Sequence, residues 1–311
     1  MKFLKKLLRF LIGSLFTVLF LLSLGLAAIR FRLLNVGYWS GALENAGVYT
    51  MMEGQVQEFG GQMMAKMDPA ELEQIRQAYN SGQLNAEERE AVEELLTMVD
   101  AFGSLDETLN AEKIQYIVER NLERITGFLK GKTEKLALYL PLAELGLPPM
   151  MLSEPPMSLM TEQTDVETYF LATSPPEQAE VTIAQLKEIQ HYASFFPALW
   201  GGTIFLTLLT LVGHHFLGTG KLKQVRGSGV LLLLSGLSAI GVAIAADQLI
   251  LQSLKNGENI PEMMLTLLPD IVTGFFSLGK NAGIATAIIG AGVIGWTIYA
   301  VKKGTLVKEQ K

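Results

Sequence analysis

Hydrophobic and polar positions along this chain are sorted into long blocks rather than mixed. Four stretches contain no Asp, Glu, Lys or Arg: Phe10–Ile29, Ser194–Leu217, Ser228–Ala246 and Asn281–Val301. An α-helix rises about 1.5 Å per residue, so about 20 apolar residues cross a hydrocarbon core of about 30 Å. The pattern predicts transmembrane helices over 10–34, 194–217, 228–247 and 280–301. The expected fold class is a mainly α membrane protein with spans in a 1 + 3 order. Residues 35–193, between the first two spans, are expected to form a mainly helical extracytoplasmic domain with a short β element.

Inside that block the polar pattern marks helix ends. Asp68-Pro69-Ala70-Glu71 offers an N-cap, a proline at the first helical position and an acid in the first turn, with Ser81-Gly82 as the stop. Asn85 with Glu88 has capping-box spacing and opens a helix to about Phe102. Asn110 caps a third helix, whose stripe Ile114, Ile117, Val118, Leu122, Ile125 and Leu129 is closed by Gly131. Upstream, Tyr38–Met67 reads as one helix weakened at Gly60-Gly61. Lys135–Leu142 and Asp165–Thr173 read as short strands, and Pro148–Pro156 as a loop. From about Pro176 a helix continues into the second span, with a kink expected at Pro197. Residues 248–279 read as an extracytoplasmic loop; its part from Ile260 carries Glu262, Pro269 and Asp270 and suggests an interfacial helix running into the fourth span.

Charge then orients the blocks. Residues 35–194 carry 26 acidic and 10 basic side chains, a balance of −16, against −6 for the whole chain. The N-terminal tail 1–9, the loop 218–227 and the tail 302–311 are all basic. The positive-inside rule therefore puts both termini in the cytosol of a plasma membrane and the acidic block outside, with Arg30 and Arg32 as the two opposing charges. A cleavable signal peptide ending near Gly25-Leu26-Ala27 is the competing reading of the first span, and it leaves the acidic block on the same side.

Composition removes several chemistries. The chain has no cysteine, which excludes disulfides, thiolate metal sites and a cysteine nucleophile. The spans carry no ionisable group between their flanks, which argues against a self-contained ion-coupled transporter. No phosphate-binding glycine loop, G-x-S-x-G or H-E-x-x-H occurs, so no catalytic residue, cofactor site or metal site is nominated. His214 and His215 point about 100° apart on a helix and read as interface anchors, while His191 lies across the membrane from both. Ten of the 13 methionines fall between the first two spans, among them Met150-Met151, Met157 and Met160. They suit an adaptable core, a partner groove or Cu(I). The acidic surface argues against nucleic acid.

Two sets of residues stand out as candidate contact surfaces. Gly279, Gly283, Ala287, Ala291 and Gly295 recur every four residues on the fourth span, and Gly241 with Ala245 repeat that spacing on the third. Small side chains let helix backbones approach closely, either inside one bundle or between copies in a homo-oligomer. The second set is Glu87, Glu90 and Glu94, an acidic helix face that is either simply solvated or a partner surface.

Tyr38-Trp39-Ser40-Gly41-Ala42-Leu43-Glu44-Asn45-Ala46-Gly47-Val48-Tyr49 resembles a segment of a loose group of uncharacterised prokaryotic membrane proteins. So does Tyr116–Leu140, with Phe128-Leu129-Lys130-Gly131-Lys132-Thr133-Glu134-Lys135-Leu136 between helix and strand. The resemblance implies one span, a helical outer domain and three further spans, and brings no activity or site residue. The order of spans also resembles permease subunits of the FtsX and MacB type, in topology alone. The expectation is a non-enzymatic envelope interaction or scaffold protein in contact with the lipid bilayer. Its extracytoplasmic domain would bind an unknown envelope protein or lipid. The alternative is a transport component, either a permease-like subunit or an oligomeric pore.

Overall fold

A computed structural model describes residues 2–65, 68–82, 84–103, 108–142, 157–160, 163–218, 220–256 and 261–303. The chain divides into two compact units, one formed by Met1–Tyr38 and Phe195–Lys311, the other by Trp39–Ser194. Among the described residues, four helices are long and apolar enough to cross a membrane: Phe3–Leu33, Pro176–Phe216, Lys221–Lys255 and Met264–Lys302.

In the first unit, α1 (Lys2–Ala28) ends in a π-helical turn over Ile29–Leu33. Its partners are three longer helices. α8 (Pro176–Phe216) enters this unit at Phe195, while α9 (Lys221–Lys255) and α10 (Glu262–Lys302) lie wholly within it. The pairing of α9 with α10 is the most extensive between any two described elements. Phe16, Ala28, Leu231, Ser235, Ala239, Ala243, Ala287 and Thr297 are buried between α1, α9 and α10. Large apolar side chains such as Phe205, Leu209, Leu234, Ile288 and Trp296 are exposed. That inversion, small and polar inside with large and apolar outside, is what hydrocarbon solvent favours.

Neither proline breaks its helix: α8 runs through Pro197 and α10 through Pro269. The segment from Glu262 is therefore continuous with the fourth span. Membrane helices tolerate proline where neighbouring groups take up the freed carbonyl.

The second unit is a helical lobe. α2 (Val36–Asn45) and α3 (Val48–Ala65) are separated at Ala46-Gly47, and Gly47 adopts φ 65°. The break thus falls at Gly47, where a left-handed turn is needed, and not at Gly60-Gly61, which are helical. α4 (Pro69–Ser81) starts on Asp68, whose carboxylate accepts from the Ala70 N–H at 2.8 Å, and stops at Gly82 with φ 70°. α5 (Ala86–Gly103) opens on a complete capping box. Asn85 Oδ1 accepts from the Glu88 N–H at 2.9 Å, and Glu88 Oε2 accepts from the Asn85 N–H at 3.0 Å.

α6 (Ala111–Leu129) is capped by Asn110 through the Lys113 N–H at 2.9 Å. It closes in a Schellman motif, in which Gly131 N–H donates to Phe128 O and Lys132 N–H to Gly127 O, both at 2.9 Å. The Gln190 amide of α8 adds bonds to Phe128 O and Thr133 O, fastening this corner to the long helix.

The β element is smaller than the alternation suggests. β1 (Ala137–Leu138) pairs antiparallel with β2 (Thr164–Asp165) over two residues. Beyond it, Asn121 of α6 replaces a strand partner: its Oδ1 accepts from the Tyr139 N–H at 2.7 Å and its Nδ2 donates to Tyr139 O at 2.8 Å. The strand expected over Asp165–Thr173 is instead α7 (Val166–Thr173). Asp165 accepts from the Glu167 N–H at 3.0 Å as its N-cap, which turns the backbone into a helix one residue after the bridge. The expected Pro148–Pro156 loop lies outside the described residues.

Candidate functional site

On α5 the carboxylates are divided by use. Glu88 is held in the capping box, Glu93 accepts from the Tyr79 hydroxyl at 3.1 Å, and Asp100 pairs with Arg76 at 2.8 Å. Those contacts join α5 to α4, helped by Arg89 lying over the Tyr79 ring at 5.3 Å. Glu87, Glu90 and Glu94 are all exposed and make no hydrogen bond or ion pair with a described residue. Positions i, i+3 and i+7 share one helix face, so three uncommitted carboxylates stand side by side.

Within the helical lobe, Ser40 of α2 donates to Glu119 of α6, and Gln115 adds a bond to the same carboxylate at 2.9 Å. The Ser40 bond, then the Gln115 bond, hold the Glu119 carboxyl below its ordinary range. Asp165 is likewise lowered, chiefly by the hydrogen bond from Lys135 at 2.8 Å. A second clasp, Lys187 to Glu167 at 3.1 Å, ties α8 to α7. These are exposed or half-buried pairs that position elements.

The small-residue stripe separates into two groups. Gly283 and Ala287 are buried against α9, joined by Gly290. On α9 the facing positions are Gly229, Gly236 and Ala243. A methyl group on Gly236 would lie 2.5 Å from Ala287 N and 2.6 Å from Gly283 O, and one on Gly290 would lie 2.7 Å from Gly229 O. The seam on α10 runs 283, 287, 290, 294, with Val293 and Ile294 closing over Gly229. Steps of four and three average 3.5 residues, which keeps a seam facing its partner. Strict four-residue steps drift about 40° each around a helix. Accordingly Ala291 and Gly295 are exposed, and so are Gly241 and Ala245 of α9. Gly279 sits at the margin, with Ala243 Cβ 3.8 Å from its missing methyl position. Gly229, Gly236 and Gly290 were the residues missed; a 3.5-residue search of both helices would have found them.

Polar side chains meet between the long helices, some of them within the charge-free stretches. Arg9 Nε donates to His214 Nε2 at 3.3 Å and Arg9 Nη2 to Lys223 O at 3.3 Å, over the space left by Gly227. His214 is buried and its Nδ1 has no hydrogen-bond partner among the described residues. His215 turns the other way, with Nδ1 3.2 Å from Ser228 Oγ. The two histidines tether α8 to α1 and α9, which goes beyond anchoring at an interface. Two turns along α1 from Arg9, Thr17 and the fully buried Ser235 exchange a hydrogen bond at 2.8 Å. Arg9, Gly13, Thr17, His214 and Leu231 border a groove of about 230 Å³.

At the opposite end of α1, Arg30 lies over the Trp200 ring at 4.7 Å. Arg32 lies over Tyr38 at 5.3 Å and reaches Ser277 Oγ at 3.4 Å. Tyr38 in turn donates to Ile271 O and rests against Gly274. The two charges that oppose the positive-inside count are thus held by aromatic faces and a hydroxyl. No group of three or more His, Cys, Asp or Glu side chains suited to a metal occurs among the described residues. Comparison with protein-family models, curated proteins and solved structures finds no match.

Proposed function

We propose that the chain is a multi-pass protein of a prokaryotic plasma membrane, with both termini in the cytosol and the acidic lobe outside. It acts without catalysis, as an envelope interaction or scaffold protein whose lobe captures a protein partner. The observation that carries this reading is the row Glu87, Glu90 and Glu94. These carboxylates remain uncommitted while Glu88, Glu93 and Asp100 on the same helix are used in caps and bridges. Electrostatic complementarity of this kind steers association and fixes register more than it adds affinity.

Affinity purification in mild detergent tests it. The parent protein should bring down a defined partner. The triple variant Glu87→Lys, Glu90→Lys, Glu94→Lys should lose that partner with its helix content unchanged. Equal recovery, or a lone monomer in both cases, removes the proposal.

The buried His214, held by Arg9, supports a second reading, a transport component, because ionisable side chains enclosed between membrane helices commonly mark substrate or ion pathways. His214→Leu separates the two. Under the scaffold reading partner capture persists; under the transport reading flux is lost while capture is indifferent.

A further inference from the structure

The first turns of α9 and the last turns of α10 enclose a groove of about 430 Å³ between Leu222, Lys223, Arg226, Thr297, Ile298, Val301 and Lys302. Its floor and walls are apolar along Leu222, Ile298 and Val301. Three cations from two helices stand at its rim: Lys223, Arg226 and Lys302. All three are exposed, and none forms an ion pair with a described carboxylate. Three other cations of the same unit have partners: Arg9 in His214 and the Lys223 carbonyl, Arg30 in Trp200, and Lys303 in the Tyr299 ring at 5.1 Å. The described parts of α9 and α10 nearest the groove contain no acid.

We propose that this groove binds one anionic phospholipid, with its phosphate at Lys223, Arg226 and Lys302 and the start of an acyl chain along Ile298 and Val301. The inference rests on the membrane reading above, because only a bilayer supplies such a ligand at the ends of these helices. Charge complementarity selects the headgroup. A guanidinium can bind a phosphate through two parallel N–H bonds, and the ammonium groups of Lys223 on the same helix and of Lys302 on the facing one complete the charge. The apolar lining selects a lipid over a free anion, since inorganic phosphate makes no contact with Ile298 or Val301 that an acyl chain would make. Basic pockets between spans at the end facing the cytosolic leaflet are where such headgroups are concentrated.

Ile298 lines the groove, so a tryptophan placed at that position reports on it. The test is quenching by brominated lipid in reconstituted vesicles, using full-length protein with Trp39→Phe, Trp200→Phe, Trp296→Phe and Ile298→Trp. Brominated phosphatidylglycerol should quench the tryptophan at position 298 more strongly than brominated phosphatidylcholine at equal mole fraction. Adding Lys223→Gln, Arg226→Gln and Lys302→Gln should reduce that preference by about tenfold or more. A companion protein keeping only Trp200 reports embedding by itself. Equal quenching at position 298 by both lipids, with Trp200 quenched normally, overturns the lipid site and leaves the membrane reading intact. So does an unchanged preference in the triple variant. Protection of position 298 from both lipids by a second copy seated on the groove also overturns the site. Failure of either lipid to quench Trp200 overturns the membrane reading itself.

Discussion

At the scale of single residues, glycine is decisive only where a neighbouring backbone occupies the space of its missing side chain. Gly236 faces Gly283 O and Ala287 N at distances no methyl group accepts, whereas Gly241, five residues on, has nothing within 4 Å of its methyl position. Gly236→Ala should therefore destabilise the α9–α10 pair by about 1–3 kcal/mol through overpacking. Gly241→Ala should be neutral or slightly stabilising, since alanine is the better helix former. Thermal unfolding of the two variants in one detergent checks the contrast.

Ser40 supplies a second residue-scale expectation. Glu119 is held below the ordinary carboxyl range, so the folded lobe binds fewer protons there than the unfolded chain does. Its contribution is fully present above the unfolded carboxyl value and is lost as pH falls through the lower folded one. Ser40→Ala should move the Glu119 titration upward in a carboxyl-resolved NMR series. The low-pH edge of lobe stability should shift up with it. An unmoved titration would show that Gln115 alone sets it.

Among elements, the caps were legible because their chemistry is local. Asp68, Asn85 with Glu88, and Asn110 each satisfy backbone N–H groups within three residues, so sequence spacing was sufficient. Asn110→Ala should cost the lobe about 1 kcal/mol in a chemical-denaturation series. Asp165 follows the same rule but was read as part of a strand. Its carboxylate serves two elements, capping α7 while the residue bridges to Ala137, and a one-residue switch from strand to helix leaves no periodicity to read. The shortness of β1 was illegible for another reason. Asn121 lies 18 residues from Tyr139, and only the folded lobe brings its amide against that backbone.

For the whole molecule, a chain without cysteine is a ready background for accessibility mapping. Glu90→Cys should react with a membrane-impermeant maleimide on intact cells, and Arg226→Cys only after permeabilisation. Reaction of both from one side would invert or dissolve the proposed topology. Arg30 and Arg32 need not disturb the charge rule. Both guanidiniums are stacked, Arg30 on Trp200 and Arg32 on Tyr38, as side chains held against aromatic rings rather than as free loop charges.

Read alone, the order of residues determined the four helices built around charge-free stretches, the helical character and acidity of the intervening block, and most of its caps. Each of these depends on the composition or spacing of neighbours in the chain. Tertiary structure decided which small residues meet, which carboxylates stay uncommitted, and which polar groups of the spans find one another. Those outcomes depend on the rotation of one helix against another. Local sequence constrains that rotation weakly, and close packing resolves it.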